Sequence, residues 1–173
     1  MIYYFLVLIL FVLSYLICTA IHEMGHWYFV KYTNNELIEL RLGKGKKNEY
    51  LFKIGDLEIK KLFFFPGSRC LWKLKSWDNY KRDGILIGLG GCIANLITVI
   101  VTLPLGLTLM FLNLNWLAYF FLLMAFVSAF QFFFNLLPIK GHDGDKIIRY
   151  TTISKELLIK EHVEFDKQYK KEE

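Results

Sequence analysis

The stretch His22-Glu23-Met24-Gly25-His26 sits at the end of an apolar run, Met1-Ile-Tyr-Tyr-Phe-Leu-Val-Leu-Ile-Leu-Phe-Val-Leu-Ser-Tyr-Leu-Ile-Cys-Thr-Ala-Ile21. Histidines four residues apart share one face of a helix. At that spacing both imidazoles reach a single Zn²⁺, and the glutamate between them reaches a water on the metal. Two histidines and a carboxylate are costly in so apolar a setting, so ionisable groups there point to function. The run itself is long enough to cross a hydrocarbon core of about 30 Å. It lacks the basic n-region and small-x-small cleavage site of a signal peptide, so we expect a retained first span with its N-terminus outside. Trp27 and Tyr28 suit an interface, and the helix should end near Lys31.

Working outward, 55% of the 173 residues are hydrophobic and sixteen are Phe, more than an ordinary soluble domain carries. Three long apolar segments account for the excess. The expected fold is therefore a mainly α membrane protein, a core of three transmembrane helices spanning about residues 2–30, 85–112 and 116–137. All 21 Lys and Arg fall in Lys31–Arg82 and Lys140–Lys171. That placement follows the positive-inside rule and puts both stretches in the cytoplasm of a multi-pass plasma-membrane protein. It also explains the net charge of +5 without nucleic acid. Cys18, Cys70 and Cys92 form no CxxC pair and read as reduced packing residues.

Between the first two spans, residues 33–83 should form a cytoplasmic, partly interfacial segment. Asn34-Asn35 breaks the first helix. The stretches ELIELRLG, NEYLFKIG and LEIKKLFFF alternate partly with period two, predicting two or three short strands in a small antiparallel sheet. Phe63-Phe64-Phe65-Pro66-Gly67 reads as an apolar tip able to dip into the membrane. WKLKSWDNYKRD reads as an interfacial lead into a helix. Gly88, Gly90 and Gly91 open the second span with small residues that permit close helix contact, and Asn95 follows one turn on. Asn113-Leu114-Asn115 makes a short external turn. Residues 1–146 form one domain in this reading. Residues 147–173 form a charged cytoplasmic tail with an amphipathic patch at KELLIKEHVEF.

A catalytic zinc site needs a third protein ligand and an open position. The third span returns to the side that carries HEMGH, and Asp143, His142 and Asp145 all stand at its end. Asp143 lies in a glycine-bounded turn, Gly141-His142-Asp143-Gly144, and His142 is a rival ligand.

HEMGH, GGCIAN and NLLPIKGHDG, each at an end of a span, resemble the site-2 protease family of intramembrane zinc metalloproteases. Asn135, Pro138, Asp143 and Gly144 stand in the register of that family's Asn-x-x-Pro and Asp-Gly elements. Cys92 replaces the family's usual proline, and His142 its common leucine. The resemblance implies one Zn²⁺ on His22, His26 and Asp143, with Glu23 as general base and Asn95 holding the substrate backbone or the oxyanion. It implies peptide-bond hydrolysis in transmembrane or membrane-bound substrates near the cytoplasmic face, and a sheet edge offered to an unwound substrate. The alternative is a non-cleaving protein of the same fold that binds metal or membrane segments.

Overall fold

In a computed structural model, described here for residues 2–45, 49–63 and 67–171, helix α1 (Ile2–Tyr32) leads into four short strands and four further helices. The strands are β1 (Glu36–Leu42), β2 (Phe52–Ile54), β3 (Leu57–Ile59) and β4 (Arg69–Lys73). The helices are α2 (Tyr80–Phe111), α3 (Asn115–Leu136), α4 (Asp143–Thr152) and α5 (Lys155–Lys171). Helices α1, α2 and α3 are long and apolar enough to cross a membrane. At a rise of about 1.5 Å per residue, even the 22 residues of α3 cover a hydrocarbon core. Their outward side chains, among them Phe5, Leu8, Ile100, Val101, Phe126 and Phe133, are large, apolar and exposed. Such a surface suits lipid rather than water.

The helices end where the sequence supplies left-handed asparagines. Asn34 takes φ 54°, and the Asn35 N–H turns back to the Val30 carbonyl at 2.9 Å, closing α1. Asn113, at φ 61°, does the same for α2, with Leu114 N–H on the Leu109 carbonyl at 3.0 Å. Asn35 then pins the next elements. Its carboxamide donates to Asp83 at the start of α2 and accepts the Lys75 N–H that follows β4.

The sheet differs from the expected antiparallel one. Its order is β2-β3-β1-β4, with β1 parallel to β3 and antiparallel to β4. The stretch expected to be a purely interfacial lead begins instead within β4, whose Cys70 is buried against Leu40, Val30 and Ile87. The Trp27 indole and the Lys31 ammonium both bond to Asp56 in the β2–β3 turn and so fix the sheet to the end of α1. The tip expected to dip into the membrane, Phe63 to Gly67, has its centre at 64–66 outside the described residues. Helix α2 also starts earlier than expected, at Tyr80, and the boundary drawn at residue 146 falls inside α4.

Helix α2 is the centre of the bundle, packing on α1, α3 and α4. Its approach to α1 is a backbone contact. A Cβ added to Gly25 would lie 2.3 Å from the Gly90 carbonyl oxygen, and one added to Gly90 would lie 2.6 Å from the Gly25 oxygen. Neither oxygen can retreat without moving its helix. Gly90→Ala should therefore lower stability by about 1–3 kcal/mol through overpacking. Ile97→Ala, on the exposed face of α2, should change it little. Equilibrium unfolding in mixed detergent micelles would compare them, and equal stabilities would show that the helices do not meet here.

Candidate metal centre

His22, Glu23 and His26 lie in the last third of α1, all buried although they are charged or polar. The spacing of four residues brings the two imidazoles together edge to face, with centroids 4.8 Å apart. Asp143 joins them from α4. Its Oδ2 lies 3.1 Å from His22 Nε2 and 3.1 Å from His26 Nε2, and the two nitrogens are 3.2 Å apart. Three donors bound to one tetrahedral Zn²⁺ at about 2.0 Å would lie about 3.3 Å from one another. The three atoms thus already have the spacing of a shared ligand set. Asp143 Oδ2 is buried and receives no hydrogen bond despite its two close neighbours. Its lone pair points where a cation would satisfy it. His22, His26 and Asp143 are a group that could hold a metal ion.

The surroundings orient these ligands. His26 Nδ1 lies 2.6 Å from the Ile87 carbonyl oxygen, which can only accept, so the proton belongs on Nδ1 and the lone pair on Nε2. The Gly91 N–H, 3.3 Å from the same nitrogen, is the weaker contact. His22 Nδ1 lies 3.0 Å from the carboxamide of Asn95, which is completely buried. Asp143 Oδ1 accepts from Lys146 Nζ at 3.0 Å, leaving Oδ2 alone on the imidazole side. Burial disfavours a charged Asp143, but the His26 and His22 imidazoles and the Lys146 ammonium outweigh it and hold the carboxyl well below its ordinary range. Burial likewise works against the Lys146 charge, and Asp143 reverses it, raising the ammonium above its ordinary value.

Asp143 does not sit in the turn that its flanking glycines implied. Pro138 follows the end of α3, Gly141 takes φ +94°, and Asp143 opens α4 directly after His142. A helix N-terminus favours an anion, which suits a buried aspartate. Gly144 is seated against the end of α3, where a Cβ would lie 2.3 Å from the Leu136 oxygen. His142, the rival ligand, turns away. Its ring packs on Phe134, and its Nδ1 lies 3.4 Å from Asn135 Oδ1. Asp145 stands in the first turn of α4 and is no part of the converging group. Lys146 was missed in the sequence, although it stands three residues from Asp143. That spacing signals a pair only once α4 is known to be a helix.

Glu23 faces a different space. With His22 it lines one end of a cleft of about 700 Å³ between α1 and α3, walled by Phe11, Tyr15, Phe126 and Phe130. The Cys70 backbone of β4 also reaches Glu23. The arrangement offers three ligand atoms, one carboxylate beside them and an apolar approach. That is the set needed for metal-assisted attack by water. Comparison of the chain with protein-family models, curated proteins and solved structures finds no match.

Gly91 supplies the seat for the rings. A Cβ there would lie 2.4 Å from His22 Cε1 and 2.6 Å from the Nε2 atoms of His22 and His26. If the group holds a divalent metal ion, Gly91→Ala should cut its affinity, probed with Zn²⁺, at least about tenfold while leaving His22, His26 and Asp143 in place. Competition with a chromophoric chelator measures it, and wild-type affinity would show that the rings lie elsewhere. Cys70 gives an independent check on the packing. Burial first, then the neighbouring Glu23, pushes its thiol up to about 12. At pH 8 roughly one Cys70 in 10⁴ is then thiolate, against about a quarter of unperturbed thiols. Maleimide should label Cys70 at least about 10³-fold more slowly in the folded protein than in SDS, as followed by peptide mass spectrometry.

Proposed function

We propose that the chain is an intramembrane zinc metalloprotease of the site-2 type, hydrolysing peptide bonds of transmembrane or membrane-associated substrates near the cytoplasmic face. The observation that carries this reading is the convergence of His22, His26 and Asp143 on one point, with Glu23 beside it at the mouth of an apolar cleft. In the proposed orientation the N-terminus is outside, and the sheet, α4 and α5 lie in the cytoplasm. The distribution of Lys and Arg supports it. Zn²⁺ fits the two-nitrogen, one-oxygen donor set and, when bound, supplies a Lewis acid for the scissile carbonyl and a lowered pKa for water.

The residues of the chain perform the remaining steps. Glu23, as carboxylate, takes a proton from the attacking water as its oxygen bonds to the carbonyl carbon. It then gives that proton to the amine as the C–N bond breaks, so it ends as it began. His22 and His26 would hold the metal through Nε2, and Lys146 keeps Asp143 one-sided by occupying its other oxygen. The cleft supports a substrate that enters from the lipid between α1 and α3. Among its apolar walls, Gln131 Nε2 donates to Thr19 Oγ1 at 3.0 Å, and Gln131 Oε1 is left without a partner. An unwound peptide in such a site needs acceptors for its own N–H groups. Gly67 and Ser68, just before β4, line the same cleft, and β4 is the outer strand of the sheet. A substrate chain there has an edge to pair with.

Glu23→Gln should keep the fold and the bound zinc and lower cleavage by about 10²-fold or more. Membrane-protein fragments would be compared in cells making equal amounts of wild type and variant. Fragments found with wild type alone, with new ends at a cytoplasmic membrane boundary, are the expected result. Identical fragment profiles would favour a non-cleaving binder on the same fold.

A further inference from the structure

We infer that Asn95 is a positioning residue for the metal centre: its carboxamide oxygen accepts the Nδ1–H of His22 and so fixes the tautomer in which His22 Nε2 offers its lone pair to the metal. The inference rests on the metal-binding part of the proposed function and is independent of whether the protein cleaves peptides.

Asn95 is wholly buried, and its Nδ2 lies 3.0 Å from His22 Nδ1. As placed, the amide nitrogen donates, His22 Nδ1 accepts, and the His22 proton must sit on Nε2. That proton would occupy the point on which the three side chains converge. It would bond to His26 Nε2, 3.2 Å away, where the Ile87 contact leaves a lone pair, with Asp143 Oδ2 3.1 Å from the same His22 nitrogen. His22 Nε2 would then be the donor and His26 Nε2 its acceptor, and neither could ligate a cation. Turning the amide by 180° exchanges Oδ1 and Nδ2 with little change in shape, and such assignments are decided by the hydrogen-bond network. Oδ1 then accepts from Nδ1–H, and His22 Nε2 is freed. In either orientation one polar atom of Asn95 lacks a partner among the described residues, as Oδ1 does now. The choice therefore turns on His22: with Asn95 accepting, the lone pairs of His22 Nε2, His26 Nε2 and Asp143 Oδ2 meet at one point, which a cation satisfies.

The placement on α2 supports the same reading. Ile87, Gly91 and Asn95 are spaced by four and form one stripe of that helix. Opposite them on α1 stand His26 and His22, also four apart. The Ile87 carbonyl holds the outer nitrogen of His26, the Gly91 backbone makes room for both rings, and Asn95 holds the outer nitrogen of His22. An acceptor on the far nitrogen of a ligating histidine sets its tautomer and its basicity.

The test uses purified full-length protein in detergent. Zn²⁺ affinity is read by chelator competition, and the ligand field by the visible absorption of the Co²⁺ form. Asn95→Leu, close in volume but unable to accept, should bind Zn²⁺ about 10–100-fold more weakly and alter the Co²⁺ spectrum. Asn95→Asp, which can only accept, should bind at least as tightly as wild type. Metal-free melting temperatures separate this role from a purely structural one, which would move them and leave the Co²⁺ spectrum alone. Wild-type affinity in Asn95→Leu, or a loss in Asn95→Asp as large as tenfold, would overturn the inference. Asn95→Asp decides by itself if the leucine variant does not fold. A wild-type protein that binds neither Zn²⁺ nor Co²⁺ would overturn the metal reading as well.

Discussion

The contact between Gly25 and Gly90 is the constraint on which the rest of the site depends. With a side chain at either position α1 and α2 would stand further apart, and the stripe Ile87-Gly91-Asn95 would no longer reach His22 and His26. The imidazoles need that reach because a helix alone fixes the Cβ positions of two histidines, not the directions of their rings. Two polar groups on a second helix, the Ile87 carbonyl and the Asn95 carboxamide, fix those directions. Small residues at a membrane-helix interface are commonly credited with packing energy. Here they also let polar backbone and side-chain groups of α2 arrive within hydrogen-bond distance of the ligands.

Helix α4 completes the set for a related reason. Asp143 must come within 3.1 Å of two nitrogens, be charged in a buried place and keep one oxygen free. Its position at the first turn of α4 favours the charge, Lys146 in the next turn takes the other oxygen, and Gly144 lets the turn press against the end of α3. Each feature opposes a different cost: desolvation, bidentate disorder and steric separation. The carboxylate is therefore held by three elements at once, which is what preorganisation of a ligand requires.

Much of this was legible in the sequence where a residue's chemistry is costly in its setting. Histidines and a glutamate at the end of an apolar run, and glycines opening another, are conspicuous against leucine and phenylalanine. The left-handed asparagines at 34 and 113 were legible as helix breaks for the same local reason. Strand β4 was not. Its residues Arg69–Lys73 are mostly half-buried rather than alternating, and its partner β1 lies some thirty residues earlier. The parallel pairing of β1 with β3 was hidden too, since a period of two says which face is buried but not which way a neighbour runs. Helix α4 was masked by Pro138, Gly141 and Gly144. These read as punctuation, and one of them turned out to be a packing contact inside a helix.

Asn95 shows how far sequence reasoning and geometry diverge on a single residue. From the spacing of Gly91 and Asn95 one expects a polar group one helical turn beyond a small one, and the family resemblance points that group at substrate. The structure places it behind His22, fully buried. A carboxamide there has two ends with different demands on them. The end facing His22 must accept if His22 is to offer Nε2, and the other end has no partner among the described residues. The substrate role implied by the resemblance would need the other end to reach the cleft, whose lining does not include Asn95, whereas the positioning role needs only the end that faces His22.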